Sequence, residues 1–376
     1  MFGTSPALTN SFGKFLTEKN MRRMIFSVMI SILTLVGITA APAAQAAPCL
    51  VVTLTGTQGG PSAFNGLAGS GTLVRYGDDG NDCGAVRLQF DAGRGTTMRL
   101  SQIGVTPAQL NAIFFTHMHS DHADGFADIM QLRWQFQLNP AEPKIDVVCS
   151  SDVVSPLGFN ISCRQFVLHF GNAFMQSGEI AQRLSELKGL LAGGPVNLTN
   201  VITFESKDEP QLVWSSGEVK VSAIRSTHTA GHVSYRVDTP AGSVVIGGDA
   251  GNDLPAPPRN SSTSDQVEKL AKGVNIIVHS TIHPVMGPGS TSGMPPPIFY
   301  RQSTATDLGA MAKRAGAKHL MLTHLVPPIG AEAQGPWKIP GGALKEADYR
   351  NAVAASGFSG NVVVGTDLAS IRLPMK

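Results

Sequence analysis

Between Thr116 and His122 the chain reads Thr-His-Met-His-Ser-Asp-His, which sets His117, His119, Asp121 and His122 within one short run. The run follows an apolar strand-like stretch, Ala112-Ile113-Phe114-Phe115, and precedes a helix-like one. Its side chains therefore leave a strand end and enter a helix start, where open α/β sheets place their sites. His117 and His119 share one face of an extended segment, while Asp121 and His122 belong to the turn and point elsewhere. Four such groups can hold two cations rather than one. Imidazole and carboxylate donors with no thiolate among them suit Zn²⁺ and its neighbours.

The same pattern recurs along the chain. His228 lies between two strand-like stretches, and Asp249 ends the apolar run Val244-Val245-Ile246-Gly247-Gly248. His279 follows Ile276-Ile277-Val278, and His324 follows Leu320-Met321-Leu322-Thr323. A single histidine at a strand end is ordinarily a hydrogen-bonded core residue; several converging strand ends make a metal centre. Two cations held close together repel unless an anion is shared between them, and Asp249 is the candidate bridge. A water between two cations loses its proton near neutral pH and can attack an ester.

The elements that must position these groups can be read from hydrophobic period and turn chemistry. Strands are expected near Val51–Leu54, Gly71–Arg75, Val86–Phe90, 145–148, 201–204, 211–214, 219–224, 233–237, 244–246, 274–278, 319–323, 361–364 and 371–373. Helices are expected after Thr96, over 123–138, 303–315 and 343–354, with a long one over 170–191 inserted over the site. The loop Gly56-Thr57-Gln58-Gly59-Gly60-Pro61 lacks the spacing of a phosphate-binding loop and reads as a close-backbone rim. Strand and helix alternate twice with no linker, which predicts one α/β domain over 47–376 with sheets inside and helices outside. With 15% charged residues and a net charge of +2, neither disorder nor a nucleic-acid-scale basic field is indicated.

Residues 1–46 read as a secretory signal with an N-terminal extension. Lys14, Lys19, Arg22 and Arg23 precede an apolar stretch, Met24–Ala40, and an A-x-A site at Ala44-Gln45-Ala46. No other segment is apolar enough to span a bilayer, so a periplasmic or secreted location without lasting membrane insertion is expected. In an oxidising compartment the four cysteines, which lack C-x-x-C spacing, are read as disulfides. Of the three pairings, Cys49 with Cys83 and Cys149 with Cys163 is favoured, since each closes one local loop.

Together, the run at His117–His122, Gly248-Asp249 and Thr323-His324 resemble the metallo-β-lactamase superfamily over nearly all of the mature chain. Within it the tRNase Z and arylsulfatase-like branch fits best. Phe90-Asp91-Ala92-Gly93-Arg94-Gly95-Thr96, His228 seven residues before Tyr235-Arg236, Val278-His279-Ser280-Thr281 and Leu322-Thr323-His324 match its patterns. The resemblance implies a four-layered αβ/βα sandwich holding two Zn²⁺ per chain. His117, His119 and His228 would bind one ion, Asp121, His122 and His324 the other, and Asp249 both. It makes Asp121 and His279 the candidate catalytic residues, with His279 beside the leaving group. The implied activity is hydrolysis of a phosphodiester or sulfate ester, with a lactone or carboxylic ester as the enzymatic alternative and a metal-binding scaffold as the non-enzymatic one. One departure is Tyr300-Arg301-Gln302-Ser303-Thr304, where the tRNase Z pattern has a histidine before Ser-Thr. The chain also lacks the basic, glycine-rich arm that grips tRNA. A small-molecule ester substrate and no nucleic-acid partner are therefore expected, with a homodimer left open.

Overall fold

In the computed structural model, residues 46–136 and 143–375 are described; all of the expected signal segment but its last residue, Ala46, lies outside them. The strands in chain order are β1 (Pro48–Gly56), β2 (Gly71–Asp78), β3 (Val86–Phe90), β4 (Ala112–Phe114), β5 (Ile145–Ser150), β6 (Val153–Val154), β7 (Asn160–Ile161) and β8 (Thr199–Phe204). They continue with β9 (Gln211–Ser216), β10 (Val219–Arg225), β11 (Val233–Thr239), β12 (Gly242–Ile246), β13 (Ile276–Ile282), β14 (His319–Val326), β15 (Ala333–Gln334), β16 (Trp337–Lys338), β17 (Asn361–Val364) and β18 (Ser370–Leu373). Fourteen of them form two seven-stranded sheets, ordered β18-β1-β2-β3-β4-β5-β8 and β17-β14-β13-β12-β11-β10-β9.

Strand alternation explains the layers. In β12 and β13, Val244, Ile246, Ile276 and Val278 point into the core between the sheets, while Val245 and Ile277 point to the helices outside. In β4, Ala112 and Phe114 face the inter-sheet core, and Ile113 faces the helices covering the other sheet. Strands buried on both faces have to be apolar throughout, which is why they read as continuous hydrophobic runs. The outer layers are the helices Phe126–Phe136 and Cys163–Gln176 on one side, and Asp265–Ala271, Ala305–Ala315 and Glu346–Ala354 on the other. This is the expected four-layered αβ/βα sandwich.

The sheets meet under the histidine run. Tyr235 on β11 is fully buried and donates its hydroxyl to the carbonyl of Phe115, 2.8 Å away. Val233 N–H bonds to Thr116 O at 2.9 Å. Both expected disulfides are present, Cys49–Cys83 and Cys149–Cys163, closing separations of 34 and 14 residues. By restricting the unfolded chain, loops of this size contribute roughly 3 to 4 kcal/mol each. Among the described residues no helix is long and apolar enough to cross a membrane.

The long helix expected over 170–191 is a correction. The chain forms Cys163–Gln176 and Glu179–Glu186, broken at Gly178, whose left-handed φ of 83° a continuous helix cannot accommodate. These helices pack on the outer core through Val167 and Ile180 rather than over the histidines. The segment beside the histidines is instead the β6–β7 hairpin.

Candidate metal centre

All seven expected ligands converge. His117, His119 and His228 form one group, His117, His122 and Asp249 a second, and Asp121, His122 and His324 a third; within each, the donor atoms lie within 4.8 Å of one another. One oxygen of Asp249, Oδ2, is 3.5 Å from His122 Nε2, 3.6 Å from His228 Nε2 and 3.2 Å from His324 Nε2. His117 and His119 follow the end of β4, and Asp121 and His122 lie in the short helix Ser120–Ala123. His228 precedes β11, and Asp249 follows β12.

His324 reaches the centre by a different device. In the β13–β14 ladder Ser280 pairs with Thr323 and Thr281 with Leu325, so His324 is the unpaired residue of a bulge, and its φ is 46°. Leu322, two residues earlier, faces the outer core. Strict alternation would aim His324 the same way, and the bulge turns it to the site.

Hydrogen-bond directions leave bare nitrogens facing inward. Asp91 Oδ2 accepts from the Thr116 hydroxyl and from His122 Nδ1, each at 2.8 Å, and Asp91 Oδ1 accepts from Thr116 N–H. Since the Thr116 hydroxyl donates to Asp91, His117 Nδ1 donates to Thr116 Oγ1 at 3.1 Å. His228 Nδ1 donates to Arg301 O at 3.4 Å. The Nε2 atoms of all three histidines and Asp249 Oδ1 are buried and have no hydrogen-bond partner among the described residues. Buried acceptors without donors are costly. Here they converge with the donor chemistry of a divalent-cation site, so the residues present fit the metals that the ligand pattern implies.

A second chain of hydrogen bonds fixes Asp249. Ser234 donates to Gly247 O, Ser226 to Ser234, and His232 Nδ1 to Ser226 at 2.9 Å. That leaves His232 Nε2 to accept from Asp249 N–H at 3.2 Å. Asp91 and His232 were both missed by sequence reasoning. Asp91 stands in a matched motif, and His232 lies four residues after a ligand, but neither signal states a role.

The groups also set one another's protonation. Burial works to raise the Asp121 carboxyl, but the hydrogen bond from His324 and the charges of His122 and His324 hold it at about 2. Burial would lower His122 and His324, yet Asp249 and, respectively, Asp91 and Asp121 push both upward. Burial pushes His228 down to about 4. Protons on His122 and His324 thus compete with a cation for the same atoms, and metal binding releases them.

His279 is the second correction. It lies inside β13 opposite Leu322, is fully buried, and lines neither cavity beside the cluster. Its Nδ1 donates to Ser280 O at 2.7 Å, and its ring lies so close to Gly247 that a Cβ there would come within 2.1 Å. Burial lowers its pKa to about 4. Because the native fold resists that proton, its contribution to stability is full above the ordinary value near 6.5 and is lost as pH falls toward 4, by roughly 3 kcal/mol. His279→Asn is expected to flatten that part of the stability profile. Urea midpoints of chelator-treated protein between pH 7 and 4.5 check it; an unchanged slope would reject the assignment.

The centre opens into a cavity of about 290 Å³ lined by Gly60, Asp121, His228, Asp249, Arg301 and Gln302, among others. The departure at Arg301-Gln302 therefore falls in the site itself. Gly60 N lies 3.0 Å from His324 Nε2. The glycine loop is held by Asp367, which accepts from Thr57 N–H, Ala68 N–H and Arg99.

Comparison with known proteins agrees with this fold. Ribonuclease Z of Mycobacterium bovis BCG is 26% identical over 326 residues, 86% of this chain and 98% of that protein. Ribonuclease Z of Mycobacterium marinum is 28% identical over the same shares. The metallo-β-lactamase fold protein YhfI of Bacillus subtilis superposes with a TM-score of 0.53 at 18% identity, covering 86% of this chain and 99% of that one. The chain has the metallo-β-lactamase fold. Human tRNase Z, short form, shares this fold with a TM-score of 0.53 at 18% identity, covering 86% of this chain and all of that one. A family model described as Anti-Pycsar protein Apyc1 matches residues 82–162, the part of the chain that carries the histidine run.

These relatives overturn one expectation. The absence of a nucleic-acid partner was inferred from low net charge and the missing arm, but relatives aligned over most of the chain are ribonucleases, which act on RNA. Net charge is a property of the whole surface and does not report on a local site.

Proposed function

We propose that the protein is an exported metal-dependent hydrolase that holds two divalent cations and cuts a phosphodiester. The observation that carries this is the set of bare, buried acceptors of His117, His122, His228 and Asp249 beside a cavity that Arg301 lines. His117, His119 and His228 would hold one cation, Asp121, His122 and His324 the other, and Asp249 both. Zinc suits such a donor set. When bound, a pair of this kind supplies Lewis acidity and a hydrolytic water deprotonated near neutral pH. Asp91, Thr116 and the Arg301 carbonyl orient the imidazoles, and His232 holds the Asp249 backbone.

The bond class follows from charge. Arg301 is exposed at the cavity, and among the described residues its guanidinium has no hydrogen-bond or ion-pair partner. A guanidinium so placed suits an anionic ester rather than a neutral lactone. Between phosphate and sulfate, the ribonuclease Z relatives favour phosphate, and they place RNA among the substrates to be tried. Export is supported by the two disulfides and by the signal-like segment over 1–46.

A panel of a bis-aryl phosphate, an aryl sulfate, a lactone, a cephalosporin and a tRNA precursor tests the reading. Phosphodiester cleavage is expected to dominate. Arg301→Ala should lower kcat/KM for the phosphodiester about 10- to 100-fold, as expected for loss of a hydrogen bond to a charged group. Preferred turnover of the lactone, or an Arg301→Ala enzyme of undiminished efficiency, would overturn it.

A further inference from the structure

A second chamber, of about 910 Å³, adjoins the cluster, and His119 and His228 line both it and the smaller cavity. Its volume is that of a small-molecule pocket. One wall is the β6–β7 hairpin, whose turn presents Pro156, Leu157 and Phe159. Leu157 is 82% exposed and Phe159 68%, so neither contributes to the core.

The hairpin is nevertheless firmly held. Its base is closed by the Cys149–Cys163 disulfide, and Ser150 Oγ donates to Gly231 O at 2.7 Å. Gly231 is left-handed, with φ at 79°, and a Cβ there would lie 3.1 Å from Val153 and 3.2 Å from Ser150. The hairpin therefore rests on the loop that follows His228. Within the turn, Ser155 N–H bonds to Phe159 O and Gly158 N–H to Ser155 O, both at 2.8 Å.

A braced turn that keeps large apolar side chains in water beside candidate metal ligands is placed to hold part of a ligand. Anything filling the chamber also touches His119 and His228, where the chemistry would occur. We infer that this chamber is the subsite for a flat ring carried by the ester group of the substrate, an aryl ring bonded through oxygen to phosphorus or a nucleobase held on the sugar. The inference rests on the phosphodiester reading above, and it makes Leu157 and Phe159 specificity-determining residues.

Binding tests it independently of turnover. With the zinc-loaded protein, diphenyl phosphate is expected to bind at least about tenfold more tightly than dimethyl phosphate, a difference of about 1.4 kcal/mol. In Leu157→Ser/Phe159→Ser, whose changes lie at exposed positions, the ratio should fall to within about twofold, through loss of diphenyl phosphate affinity. A nucleoside phenyl phosphate that outcompetes diphenyl phosphate identifies the ring as a base; the reverse order identifies a simple aryl group. Equal binding of the two probes by the wild type, or a preference that survives in the variant, overturns the proposal. So does a variant that changes only vesicle binding or self-association, which would make the hairpin a surface contact. A preserved diphenyl preference in a protein that cleaves no phosphodiester leaves the subsite standing and removes the bond-class reading instead.

Discussion

Asp249→Ala is expected to reduce bound metal from about two ions per chain to well under one, and to abolish turnover with it. One carboxylate oxygen faces imidazoles of both ligand groups, within 3.6 Å of His122, His228 and His324. The remaining set would be five histidines and Asp121, a single negative charge for two dications in a buried site. Repulsion between like charges grows as the surroundings become less polar, so the loss falls on both ions rather than one. The charge of Asp249 is firmly kept: burial works to raise its carboxyl, but His324, His122 and His228 hold it well below the ordinary range. Asp249→Asn retains the shape and the backbone bond to His232, and should also lose metal, which separates charge from packing. Elemental analysis after dialysis, with a thermal melt to confirm folding, is the measurement. Two ions retained in a folded Asp249→Ala protein would reduce Asp249 to a turn residue.

The elements that were legible in the sequence are those whose residues face apolar layers on both sides. Val244–Ile246, Ile276–Val278 and Leu320–Leu322 cannot be read as anything but buried strands, and their ends located the ligands. His279 and His324 show where that reasoning stops. Both follow a parallel apolar strand, and the sequence makes them equivalent. In the structure His279 keeps the outward parity of its partner Leu322, whereas a bulge at a positive φ re-aims His324. A one-residue register shift leaves no periodic mark when both faces of a strand are apolar. The β6–β7 hairpin was invisible for another reason, since strands of two residues are too short to show a period. Helical spacing likewise ran on past Gly178, where backbone conformation rather than hydrophobicity ends the helix.

Asp91 is the strongest case of a residue that the sequence quotes without explaining. It sits just after β3 with φ at 53°, and its carboxylate accepts from Thr116 N–H, the Thr116 hydroxyl and His122 Nδ1. Those bonds decide which nitrogen of His117 and of His122 is left bare toward the centre. Asparagine tolerates the same left-handed backbone, so Asp91→Asn changes chemistry with little strain. Its oxygen can still accept from Thr116 N–H, but its amide then presents a donor to His122 Nδ1, and two donors cannot share that position. His122 must lose the bond or move its proton to Nε2, the atom that would bind metal. Changes of this kind typically weaken metal binding 10- to 100-fold, and here the weakening should fall first on the ion shared by Asp121, His122 and His324. Chelator competition should therefore show one tight and one weakened ion per chain. Imidazole nitrogen shifts should show His122 in the opposite tautomer. Two equally tight ions with an unchanged His122 tautomer would mean that Asp91 shapes the backbone alone.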